Sequence, residues 1–188
     1  KVPFLGLSKT RLAKDIGNLQ ALRFARRMSQ SLYQKLKNDK RWQCRLAVAP
    51  KNFVNKTRIW PFTGTQISQG RGDLGQRMSY VSDSIVGGPL VIIGTDVPGI
   101  ERQHIQLAFQ ALEKSNFVFG PAKDGGYWLI GLKRRPTNCM PFKHISWSSP
   151  TTLQETINNV PKKMQTFLLP ELEDIDDGFS WKRWKQGP

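Results

Sequence analysis

Apolar residues recur at helical spacing through the first third of the chain. Leu19, Leu22, Met28, Leu32 and Leu36 form one stripe, with Arg23, Arg26, Arg27, Lys35 and Lys37 between them. The spacing predicts an amphipathic helix over 18–38 whose cations form a solvated face. Gln43 to Ala49 reads as a short strand closed by Pro50. Residues 50–72, with Pro61, Gly64, Gly70 and Gly72, keep no period and read as one long loop, a length usually associated with function or mobility. A helix is predicted from Asp73 to Ile85, ended by Gly87, Gly88 and Pro89.

Leu90 to Gly94 is an unbroken apolar run, the pattern of an inner strand covered on both faces. Arg102 to Lys114 is helical, with Ile105, Ala108 and Leu112 on one side, and two further strands are expected at Phe117–Phe119 and Tyr127–Leu132. Ser149 and Pro150 suit a helix start, where proline forfeits no hydrogen bond. Strands alternating with helices predict a three-layer α/β/α domain with a largely parallel central sheet.

Composition sharpens the picture. The 188 residues include six Trp, and 38% are hydrophobic, enough for a packed core and against a disordered polycation. No apolar run approaches the ~18 residues of a membrane span. Cys44 and Cys139 stand far apart, with only His104 and His144 as additional soft ligands, so neither a disulfide scaffold nor a structural zinc site is supported. A cytoplasmic location is expected. The net charge of +15 is lopsided: residues 1–58 carry 15 Lys/Arg against Asp15 and Asp39, a net +13 that implies an anionic partner.

Four clusters carry candidate chemistry. In Pro3–Leu12, Gly6 permits a tight turn, and Lys9 and Arg11 sit at a helix start, where cations oppose the helix dipole unless an anion binds. A Walker-type phosphate loop is excluded, because Ser8 and Pro3 stand where glycines are required. Gln69–Met78 is glycine-rich: Gly72 permits close backbone approach, and Arg77 offers a planar fork for phosphate, although a turn capped by Asp73 explains much of it. Val91–Asp96 delivers one carboxylate beyond a buried strand, suited either to a hard cation or to capping the next turn. Gly120–Leu132 contains Gly-Pro-x-x-Asp-Gly-Gly-Tyr, and an Asp-Gly hairpin turn accounts for Asp124 and Gly125 but not the whole string.

Together with Ile145–Ser148 and Leu172–Asp176, these clusters resemble the DUF2064 glycosyltransferase-like family of the nucleotide-diphospho-sugar transferase superfamily, which has the GT-A fold. The resemblance runs from Lys1 to about Trp184 and implies a single GT-A-like domain over 1–188. Superfamily members carry an apolar strand directly before the segment that begins here at Lys1. Either the sequence is trimmed or that strand is absent, and an upstream apolar strand is expected.

The resemblance also implies roles. Lys9, Arg11 and Arg77 would hold nucleotide phosphates, with Gln69, Gly72, Asp73, Gly125 and Gly126 in the same binding set. Asp96 would hold Mg²⁺ or Mn²⁺, with Asp176 completing its shell. Asp124, with Gly125 and Gly126, would line the acceptor side, so Asp96 and Asp124 are the catalytic candidates. Asp176 is followed by Asp-Gly-Phe-Ser rather than the family's more typical continuation. The implied activity is metal-dependent transfer from a nucleotide sugar, or of a nucleotidyl group from a nucleoside triphosphate, to an unidentified acceptor. The alternative is a non-catalytic phosphate- or nucleic-acid-binding domain that retains the fold.

Overall fold

Gly17, at φ 85, separates two helices that the apolar stripe alone would merge: α1 (Thr10–Ile16) and α2 (Asn18–Leu36). In this computed structural model, residues 2–6, 8–56, 64–135 and 139–187 are described. Lys1 and Leu7, together with residues 57–63 of the long loop and Pro61 among them, lie outside these. The described chain falls into two compact units.

The first unit comprises Lys1–Ser68, Thr95–Ile100 and Glu173–Pro188. It holds α1, α2, strands β1 (Leu46–Val48) and β2 (Gln66–Ser68) paired in parallel, and helix α6 (Gly178–Gln186). Leu12 of α1, Ala21, Phe24 and Met28 of α2, and Ile175 before α6 pack as one core. Burying each large apolar side chain contributes roughly 1.5–3 kcal/mol. A second cluster joins Val2, Tyr33 and Val48.

The second unit comprises Gln69–Gly94 and Glu101–Leu172. Its elements are α3 (Leu74–Ser84), β3 (Leu90–Ile93), α4 (Arg102–Lys114), β4 (Phe117–Pro121), β5 (Tyr127–Leu132), α5 (Thr152–Asn158) and β6 (Thr166–Leu168). The strands form one sheet in the order β3-β5-β4-β6. β5 is antiparallel to β3 and to β4, and β4 is parallel to β6, so three strands run one way and β5 alone is reversed. Phe117 and Phe119 from β4 and Ile130 and Leu132 from β5 meet Met78 of α3 in the core. The buried Trp128 donates its indole N–H to the Pro170 carbonyl at 3.3 Å.

Several elements differ from the sequence reading. Among the described residues β3 has a single strand neighbour, β5, and its four residues are half-buried, so it is an edge strand rather than an inner one. An apolar run reports cover on the faces and carries no information about lateral pairing. β2 lies in the stretch read as loop, and its extended form rests on parallel pairing with β1. Helix α5 starts at Thr152, after Pro150. Neither β6 nor α6 carries a hydrophobic pattern that predicts it.

Candidate functional site

The turn that carries Lys9 is set by its neighbours. Gly6 adopts φ 74, and the Ser8 hydroxyl accepts the Phe4 N–H at 3.0 Å while donating to the Val2 carbonyl at 3.3 Å. Lys9 itself sits in the left-handed region at φ 52, and its carbonyl accepts the Ala13 N–H at 2.8 Å to open α1. Arg11 lies in the first turn of α1, so two cations stand at the positive end of a helix.

Two other segments of the same unit bring carboxylates to them. The segment Thr95–Ile100 is anchored by buried Val97 and Ile100. Lys35 of α2 donates from Nζ to the Ile100 carbonyl at 2.9 Å, and the Ile175 N–H donates to the Asp96 carbonyl at 3.0 Å. Asp176, the next residue, is held through its N–H by the Ser180 hydroxyl at 3.2 Å, while Asp177 and Ser180 form a reciprocal capping box for α6. Lys35, taken from its helical spacing as part of a solvated face, is thus a positioning residue. It lies seven residues after Met28 and three after Leu32, a position on the apolar stripe that could have flagged it.

Lys9 Nζ lies 2.7 Å from Asp96 Oδ2 and 3.2 Å from Asp176 Oδ1. Arg11 Nη1 reaches Asp176 Oδ2 at 3.2 Å. The Lys9 side chain is 11% exposed and that of Arg11 64% exposed. Burial of the Lys9 ammonium pushes its pKa down, but Asp96 and Asp176 outweigh this and hold it above the ordinary lysine value. Two cations and two carboxylates leave the cluster formally neutral.

The donor set suits a hard divalent cation, because two carboxylates already converge on one positive centre. Mg²⁺ commonly takes one or two carboxylates and completes its shell with water and substrate phosphates. Among the described residues, no group of three or more His, Cys, Asp or Glu side chains is placed to hold a metal. Asp96 and Asp176 would therefore need oxygen ligands from outside the protein.

The remaining predicted residues belong to the second unit. Asp73 caps α3: its carboxylate accepts the Gln76 N–H at 2.8 Å, and Gln76 Oε1 accepts the Asp73 N–H at 2.9 Å. Gly72 adopts φ 98, with Gln76 packed where a Cβ would point, so Gln69–Asp73 is the glycine-containing bend leading into that cap. Arg77 is half-buried, and its Nε meets no acceptor among the described residues. Asp124 is exposed and closes a local turn by accepting the Gly126 N–H at 2.9 Å. Gly125 adopts φ 84, its N–H bonds the Ala122 carbonyl at 3.0 Å, and its carbonyl accepts the Leu153 N–H at 3.0 Å. A Cβ on Gly125 would stand 2.1 Å from the Pro150 carbonyl oxygen. Of the predicted set, the structure brings together Lys9, Arg11, Asp96 and Asp176.

The crystal structure of a candidate nucleotide-diphospho-sugar transferase from Desulfovibrio desulfuricans G20 matches with a TM-score of 0.79 and 25% sequence identity. The match covers 94% of this chain and 79% of that one. Fold and charged cluster together define an α/β protein of the nucleotide-diphospho-sugar transferase-like class. Residues 32–149 match the family described as "Uncharacterized protein conserved in bacteria (DUF2064)", and the chain belongs to that family. The matched segment includes Asp96 and Asp124. No curated protein matches the chain. No helix among the described residues is long and apolar enough to cross a membrane.

Proposed function

We propose that the protein is a metal-dependent transferase that takes a nucleotide-diphospho-sugar as donor and moves the sugar to an acceptor. The observation that carries this reading is the convergence of Lys9, Arg11, Asp96 and Asp176 at 2.7–3.2 Å in one unit. The Desulfovibrio desulfuricans G20 structure supports the donor class.

The chemistry needs negative charge to be stabilised as the nucleoside diphosphate leaves, a role that preorganised cations perform well where water is excluded. Arg11, exposed on the first turn of α1, presents a fork that matches two phosphate oxygens. Lys9, on a flexible stem, offers a point charge to the same diphosphate. Asp96 and Asp176 would hold Mg²⁺ or Mn²⁺, which supplies Lewis-acid neutralisation of the leaving diphosphate. The Ile175 N–H holds the Asp96 carbonyl, and Lys35 holds the Ile100 carbonyl at the far end of the same segment.

Calorimetric titration of wild type and Asp96→Ala with nucleotide sugars and nucleoside triphosphates, in Mg²⁺ and in chelator, tests this reading. A nucleotide-sugar donor predicts Mg²⁺-dependent binding of the sugar form. In Asp96→Ala the metal-dependent part disappears, while weaker metal-independent binding through Lys9 and Arg11 persists. The side chain of Asp96 is 37% exposed, so the variant should fold. Unchanged Mg²⁺-dependent binding in Asp96→Ala would remove the metal assignment, and binding of triphosphates alone would favour nucleotidyl transfer.

A further inference from the structure

Resting on that reading, we propose that Lys9 and the divalent cation exclude one another from the space between Asp96 and Asp176, so that metal and diphosphate load together rather than metal first. The ammonium already occupies the place where the two carboxylates converge, 2.7 Å from Asp96 Oδ2 and 3.2 Å from Asp176 Oδ1. A Mg²⁺ ion at its usual ~2.0–2.1 Å from the same oxygens claims the same volume. Two like charges cannot share it.

Charge and ligand number point the same way. Lys9, Arg11, Asp96 and Asp176 sum to zero, so a divalent ion entering alone makes the cluster strongly positive. It also strips a lysine side chain that is only 11% exposed of both its carboxylate partners. The protein offers no third carboxylate, histidine or cysteine among the described residues to repay that loss. A diphosphate resolves both problems, because it brings oxygen ligands for the metal and new acceptors for the displaced ammonium. Lys9 can make the exchange by rotation about its four-carbon stem while its backbone stays at the start of α1. By linkage, whatever weakens metal binding in the absence of diphosphate appears as cooperativity between the two when both are present.

The test is a Mn²⁺ titration of the full chain, following free Mn²⁺ by its electron paramagnetic resonance signal. Pyrophosphate serves as the diphosphate probe, with its own Mn²⁺ binding in buffer subtracted. Wild type should bind Mn²⁺ about tenfold or more tightly with pyrophosphate than without it. Lys9→Met, which keeps the stem and removes the charge, should bind Mn²⁺ alone about tenfold more tightly than wild type, with the gain from pyrophosphate reduced. Equal or weaker Mn²⁺ binding by Lys9→Met without pyrophosphate overturns the proposal.

A second measurement needs no variant. Acetic anhydride labelling of Lys9 in wild type, read by mass spectrometry, should speed up severalfold when saturating Mn²⁺ is added alone, and an unchanged rate overturns the proposal. The two readings fail separately. If pyrophosphate still binds through Arg11 while Lys9→Met leaves Mn²⁺ affinity unchanged, only the exclusion is lost. If neither Mn²⁺ nor pyrophosphate binds wild type, the transferase reading falls with it.

Discussion

The Ile175 N–H donates to the carbonyl of Asp96 at 3.0 Å, and that single bond sets the register of two segments far apart in sequence. With Ile175 buried in the α1–α2 core, the following residue, Asp176, comes to Lys9 beside Asp96. The carboxylate pair is therefore built by the backbone, and the side chains inherit their positions from it.

Arg11 should matter to nucleotide binding far more than the charges along α2. Arg23 and Arg26 are exposed and contribute a diffuse field that ~0.15 M salt largely screens, whereas Arg11 offers directed bonds worth about 1.5–3 kcal/mol to a phosphate. Calorimetry should show about a tenfold or greater loss for Arg11→Ala and less than about a twofold loss for Arg23→Gln/Arg26→Gln. Equal losses would indicate binding by general charge.

Lys35→Met should loosen the Asp96 segment without removing any group of the charged cluster. Losing the bond to the Ile100 carbonyl should cost about 1–2 kcal/mol of stability. Nucleotide affinity should fall about threefold or more as the carboxylate loses its fixed position. Chemical denaturation and calorimetry on the same variant check both effects.

Gly125→Ala should be severely destabilising. The added Cβ meets the Pro150 carbonyl at 2.1 Å, and the residue must also hold φ 84. A cost of about 2–4 kcal/mol is expected from strain and overlap together. Asp124→Asn leaves an acceptor oxygen for the Gly126 N–H and should stay within about 1 kcal/mol of wild type. Urea unfolding of the pair separates backbone demand from side-chain chemistry.

The pH dependence follows from Lys9. Burial opposes its charge, but Asp96 and Asp176 prevail and raise its pKa. A raised lysine stabilises the fold fully below the ordinary value of ~10.4, and that contribution is lost as the pH rises through the higher folded value. The stability difference between wild type and Lys9→Met should be constant near pH ~8 and shrink above pH ~10.4. A difference that grows there would contradict the ion-pair geometry.

Much of this architecture was legible in short strings of residues. Gly6, Lys9 and Arg11 announce a turn before a cationic helix start, and Asp96 follows an apolar strand, so both stand out locally. Asp176 was reachable only through family resemblance, because its partner in the cluster lies 167 residues away. Periodicity puts Lys35 on the solvated face, because it assigns side chains to faces and cannot see that a long stem reaches a backbone carbonyl. The edge position of β3 among the described residues was hidden for a related reason: lateral pairing involves the main chain, which every sequence shares. β6 and α6 escaped because a strand of three exposed residues and a nine-residue helix rich in aromatic and basic side chains show neither alternation nor a clear stripe.

The bond from Lys35 to the Ile100 carbonyl also divides the basic first third into two populations for anyone redesigning its surface. Arg23, Arg26 and Arg27 face solvent and are open to acidic replacement, which would lower the isoelectric point and improve handling in dilute salt. Lys35, indistinguishable from them in a charge plot, acts as a tether, and a redesign that treated all cations of α2 alike would loosen the segment that carries Asp96.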